Sequence, residues 1–291
     1  MDTNKMHDAN PAQLDRLAPE LSHRTQLMLD LAQQAGELVI RHFQHPGLVV
    51  HSKGAAGPVT IADRQAEQLI RDAISAHFPS DGLLGEEHGT HESTTGWTWV
   101  IDPIDGTVSF AAGVPLFGVL IALQHEDAQG RRVRAGVCHL PALGECIWAA
   151  EGAGAWWQRA GKATIPARVS TCQDLGSALF CTSGPEYYAQ AARQEAYVQI
   201  TRAAGRVRGW SDCYAFALAA TGRIDVAIDP IMHPWDSGPF AVILPEAGGV
   251  FSGWTGQPSI HAGDAIACNP RLHQQVLNLV KPWTDCRAKS H

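Results

Sequence analysis

The sequence predicts a mixed α/β protein, and three observations carry that reading. Two stretches with helical spacing come first, a series of strands joined by short turns follows, and beyond about residue 161 strands alternate with helices. The first helical stretch spans residues 21–44, where Leu27, Met28, Leu31, Ala35, Leu38 and Val39 recur on one face until Pro46-Gly47 stops it. Residues 1–20 read as a loose polar leader, and residues 48–50 as a short strand.

Lys53 to Gly57 reads as a flexible loop. Thr60 then resembles a helix N-cap, with Asp63 three residues on in a carboxylate version of the capping box. Ala66, Leu69, Ile70, Ala73 and Ile74 carry that helix to about His77. Residues 83–87 form an apolar segment ending in Glu86-Glu87. Residues 116–124, 133–140 and 145–149 are strands of an antiparallel meander, with one more near Trp156-Trp157. The second half predicts strands at 178–182, 224–228 and 265–268. Its predicted helices span 186–204, 212–221, 235–247 and 271–280, and Gly248-Gly249 ends the third of them. The chain therefore divides into a leader (1–20), an α+β half (21–160) and an α/β half (161–291).

Composition narrows the function. The chain is 45% hydrophobic, enough for a substantial core, and its net charge of −7 offers no basic stripe for nucleic acid. The first twenty residues lack the apolar centre of a signal peptide, and no apolar run is long enough to span a membrane. Seven cysteines, an odd number without a C-x-x-C pair, sit mostly in apolar runs, which predicts buried thiols in a reduced, cytoplasmic protein. Fourteen histidines are scattered without metal-ligand spacing.

Chemistry concentrates in Trp99-Val100-Ile101-Asp102-Pro103-Ile104-Asp105-Gly106-Thr107. An apolar strand ends in two carboxylates three positions apart, and Gly106 permits a tight turn directly after. Two anions held this close repel unless a cation or a proton lies between them. A surface turn would use the same residue types. Other acids next to apolar segments, Asp63, Glu86 and Asp236, favour instead a site for a hard divalent cation such as Mg²⁺. Such ions serve phosphoryl transfer, and Thr107 is placed to orient a water.

Gly85-Glu86-Glu87, Asp102 to Thr107, and Trp235-Asp236 followed by Glu246-Ala247-Gly248-Gly249 together resemble the signatures of the inositol monophosphatase family. The resemblance covers roughly residues 25–280. It implies a layered αβαβα sandwich, usually homodimeric, acting as an Mg²⁺-dependent, Li⁺-sensitive phosphomonoesterase with two or three ions. Residue by residue, it makes Glu86, Asp102, Asp105, Asp236 and the carbonyl of Ile104 metal ligands. It gives Asp63 a further, weaker ion or its water, has Glu86 and Thr107 position the attacking water, and turns the N–H groups of Gly106 and Thr107 toward the phosphate.

Gly113 to Leu123 and Trp210-Ser211-Asp212-Cys213-Tyr214 look most like the histidinol-phosphatase branch. L-Histidinol phosphate carries an ammonium group and an imidazole, so its site needs carboxylates beyond those holding metal. Asp212 and Asp229 are the candidates; an N-cap and an Asp-Pro turn are their plainer readings. Val108 departs from the branch, many of whose members have a basic residue there, and the role of Glu87 is open. Two other functions compete: a phosphatase for inositol 1-phosphate or another small ester, and a catalytically idle regulatory or binding homologue. The intact set of acids argues against the last.

Overall fold

A computed structural model describes residues 11–52 and 58–284 of the chain. The first ten leader residues, the loop 53–57 and Cys286 lie outside the described residues.

The chain opens with α1 (Pro11–Leu14), α2 (Pro19–His42), β1 (Val50–Ser52), β2 (Pro58–Thr60) and α3 (Ile61–His77). Then come β3 (Gly82–Gly85), β4 (Gly89–His91), β5 (Trp97–Asp105) and α4 (Thr107–Ala111). The meander is β6 (Gly118–Asp127), β7 (Gly130–Leu140), β8 (Glu145–Ala150) and β9 (Gly154–Arg159), with β10 (Ile165–Pro166) at its edge. Next are β11 (Leu179–Cys181), α5 (Pro185–Gln190), α6 (Gln194–Ala203), β12 (Arg206–Arg208), α7 (Asp212–Ala220) and β13 (Val226–Asp229). The chain closes with α8 (Pro234–Ser237), α9 (Phe240–Glu246), β14 (Val250–Ser252), β15 (Ala265–Cys268) and α10 (Pro270–Val280).

Two large sheets result. The first has eight strands in the order β10-β9-β8-β7-β6-β5-β3-β4, antiparallel except for the β3–β5 pair. The second has five, in the order β12-β11-β13-β15-β14, with β11 parallel to both its neighbours. Both faces of the first sheet are covered. Val119, Ile121 and Leu123 of β6 point into one core with α2 and α3, while Leu120 points into a second core with α7 and α9. Alternate residues of one strand thus serve two cores, which is why this segment reads as a continuous apolar run. Helices α7 and α9 also touch the second sheet, whose far face packs on α6 and α10 through Phe180, Val226, Ile228, Leu272 and Val276. The stack is helix–sheet–helix–sheet–helix, the layered αβαβα sandwich.

Four local expectations change. The stretch expected as a loose leader over 1–20 forms α1 at Pro11–Leu14, with Leu14 buried in the core, and opens α2 at Pro19. The predicted helix over 186–204 is two helices, α5 and α6, broken where Ala192 takes φ 55° and Arg193 turns inward. Burying an Arg requires a partner, and Arg193 finds Asp264 at 2.8 Å with Trp254 under its guanidinium. The predicted helix over 235–247 is likewise two, because Pro239 has no N–H to continue the ladder. Strand β14 follows Gly248-Gly249 directly, and those glycines, which stop the helix before them, also conceal the strand after them.

Candidate active site

Strand β5 does not stop before its carboxylates; it runs through Asp105, with its register against β6 slipping between Asp102 and Asp105. That irregularity falls at Pro103, which cannot donate to a ladder. Asp102 turns back to accept from the N–H of Ile104 at 3.0 Å. Gly106 then takes φ 89°, where a side chain would be strained and a Cβ would meet the Leu116 carbonyl at 2.8 Å. Only glycine lets the chain reverse there and start α4 at Thr107.

Asp236 arrives from α8, where its carboxylate accepts from the N–H of His233 at 2.8 Å and caps the helix. Asp102, Asp105 and Asp236 offer carboxylate oxygens that all lie within 4.8 Å of one another. Burial, and then the charges of neighbouring acids, Glu86 for Asp102 and Asp212 for Asp105, push both well above the ordinary carboxylate range. Asp236 is raised to about 6 by burial and by the Glu86 charge, against the opposing pull of the His233 N–H. Glu86 lies outside the tight trio but close enough for its charge to act on both Asp102 and Asp236.

Asp63 meets this group from α3. The capping box is present: one carboxylate oxygen accepts from the Thr60 N–H at 2.8 Å and hydroxyl at 2.6 Å. The other receives the Thr107 hydroxyl at 3.4 Å, and that hydroxyl also donates to the Ile104 carbonyl at 2.9 Å. One side chain thus caps α3 with one oxygen and faces Thr107 with the other. Its pKa is raised to about 6, chiefly by burial.

Asp212 and Asp229 fall on the same side. The N-cap of α7 is Ser211, so Asp212 is the first helical residue, with φ 56°, and its carboxylate sits beside Gly106. Asp229 ends β13 with 4% of its surface exposed and accepts from the Ser183 N–H at 2.7 Å. Burial raises Asp212 to about 6 and Asp229 to about 7, the latter with help from the charges of Asp212 and Asp236. Among the described residues, neither forms an ion pair with a basic side chain.

Two groups escaped the sequence reading. The Cys213 N–H donates to the Asp105 carboxylate, tying α7 to β5. Glu67, fully buried, accepts from the N–H groups of Glu87 at 2.7 Å and His88 at 3.1 Å. Its signal was present: an acid on the apolar stripe that also carries Ile70 and Ile74.

The oxygen-rich trio fits a hard divalent ion: three carboxylates, Asp102 buried and the other two half-buried, converge, and among the described residues none of them pairs with a Lys or Arg. Residues 20–282 match the inositol monophosphatase family. A histidinol-phosphatase of Chlorobaculum parvum is 44% identical over 241 residues, covering 83% of this chain and 90% of that protein. One from Streptomyces coelicolor is 36% identical, covering 85% and 92%. The solved structure of the extragenic suppressor protein suhB from Bartonella henselae superposes with a TM-score of 0.79 at 27% identity, covering 88% of this chain and 97% of that one. Fold, converging carboxylates and similarity agree, and the chain belongs to the inositol monophosphatase family, whose members are metal-dependent phosphomonoesterases.

Proposed function

We propose that this phosphoric monoester hydrolase cleaves L-histidinol phosphate to L-histidinol and inorganic phosphate, a step of histidine biosynthesis, with Mg²⁺ as its ion. The observation that carries the choice of ester is the pair Asp212 and Asp229. Two desolvated carboxylates beyond the metal trio, without basic partners among the described residues, suit a substrate that brings its own positive charge. An inositol phosphate brings hydroxyls only. The names of the relatives from Chlorobaculum parvum and Streptomyces coelicolor support the same substrate.

In this reading Asp102, Asp105, Asp236, Glu86 and the Ile104 carbonyl hold metal. These ligands would hold two or three ions, and Li⁺ would inhibit by competing with Mg²⁺ for them. When bound, Mg²⁺ supplies Lewis acidity toward the phosphoryl oxygens and toward water. The chain's own groups do the rest. Thr107 is oriented by its bond to the Ile104 carbonyl, so its oxygen can accept from the attacking water, and Asp63, a carboxylate above about pH 6, is the general base that receives the water's proton. The N–H groups of Gly106 and Thr107 face the phosphate. Water adds to phosphorus and gives up a proton through the Thr107 oxygen to the Asp63 carboxylate, the ester P–O bond breaks, and the leaving alkoxide takes a proton from solvent water to depart as L-histidinol. Asp212 and Asp229 hold the ammonium and imidazole and so align the leaving group.

Residues 21–160 supply most of the metal ligands, and residues 161–291 complete the site. A cytoplasmic homodimer belongs to the same reading, supported by the family and by the cysteines among the described residues, which are unbridged and mostly buried. Among the described residues, no helix is long and apolar enough to cross a membrane. Turnover of L-histidinol phosphate and inositol 1-phosphate with Mg²⁺ tests the substrate. A higher kcat/KM for the histidinol ester is expected, and preference for the inositol ester overturns the assignment.

A further inference from the structure

We propose that Glu67 is a positioning residue for metal binding: its carboxylate grips the backbone after Glu86 and thereby sets Glu86 against the aspartate trio. Glu67 stands one helical turn beyond Asp63 on α3, so a single helix face carries both acids. One Glu67 oxygen accepts from the Glu87 N–H at 2.7 Å. The other accepts from the His88 N–H at 3.1 Å and pairs with Arg71 at 3.2 Å. The His88 ring nitrogen lies 3.4 Å from the same oxygen. Glu86 itself is tethered on its other side, its N–H donating to the Ile101 carbonyl of β5 at 3.3 Å.

The segment is thus held from both sides, by β5 before the Glu86 side chain and by Glu67 after it. Bonds from backbone N–H groups to an ionised carboxylate are shorter and stronger than neutral ones. Gly85 shows how closely the two parts fit: a Cβ there would overlap the Glu67 carboxylate. A charge at 0% exposure is costly unless it is fully partnered, and here two of its partners are the main chain of a loop bearing a candidate ligand.

The inference rests on the metal-site reading, and its test separates the two. Metal-stripped full-length protein is titrated with Mg²⁺ by calorimetry as wild type, Glu67→Gln and Gly85→Ala, with thermal unfolding followed in EDTA. Gln keeps the size but loses the charge and one of the two accepting oxygens; Ala at position 85 disturbs the same contact from the loop side. Each variant is expected to bind Mg²⁺ roughly ten- to a hundredfold more weakly. The Mg²⁺ activation constant should rise by the same factor, while KM for the ester at saturating metal stays near that of wild type. If Glu67→Gln does not fold, Gly85→Ala carries the comparison. Wild-type Mg²⁺ affinity in a folded variant that merely melts earlier would overturn the positioning role and leave the metal site standing. A wild-type protein that binds no Mg²⁺ would overturn both.

Discussion

Replacing Asp229 by Asn should make the metal-free protein more stable and a poorer catalyst. The folded state raises this carboxyl from 3.8 to about 7, chiefly by burial. A raised pKa means that the folded protein holds the proton more tightly than the unfolded chain. The group therefore imposes no penalty below the ordinary carboxylate range, and the full penalty once pH passes the folded value. About three pH units at 1.36 kcal/mol each give a penalty of about 4 kcal/mol at pH 8, falling below about 2 kcal/mol at pH 5. Asn is permanently neutral, nearly the same shape, and can still accept from the Ser183 N–H. Urea unfolding of wild type and Asp229→Asn in EDTA, at pH 5 and pH 8, reads the difference. The variant should gain at pH 8 and much less at pH 5, while its KM for L-histidinol phosphate rises. Equal stability at pH 8, or the same gain at both pH values, would refute the idea of an uncompensated buried anion.

Asp105→Asn should cut kcat by roughly a hundredfold or more while leaving the circular dichroism spectrum unchanged, since it removes one of three converging charges. Retained activity would count against the metal assignment. Protons compete with the ion for the same oxygens, and Asp63 and Asp236 both titrate at about 6. Mg²⁺ affinity measured by calorimetry should accordingly fall as pH drops through about 6, and a flat profile across that window would exclude such competition.

Much of the candidate site was legible because its residues sit where chain patterns break. Asp102 and Asp105 interrupt an apolar strand, and Asp63 stands at a helix start with a Thr before it. Pattern breaks of this kind are local and survive in one dimension. Glu67 was harder to see, because its importance lies in backbone groups some twenty residues away, and no spacing rule connects a helix stripe to a loop amide. The break between α5 and α6 was hidden for a related reason. Periodicity continues across Ala191 and Ala192, and it is the distant Asp264 that draws Arg193 inward. The layered sandwich needed the family resemblance, since alternation of strands and helices admits several sheet orders.

The Cys213 N–H to Asp105 bond has a mechanical meaning. It joins the first sheet to the helix layer beneath the second, at the spot where Asp236 also comes across from α8. A cation seated there would act as a rivet through the stack, so that loading it stabilises the junction and chelation removes that contribution. Fragments that end between the sheets would each carry a few acids and no catalyst, and activity would return only when the pieces dock.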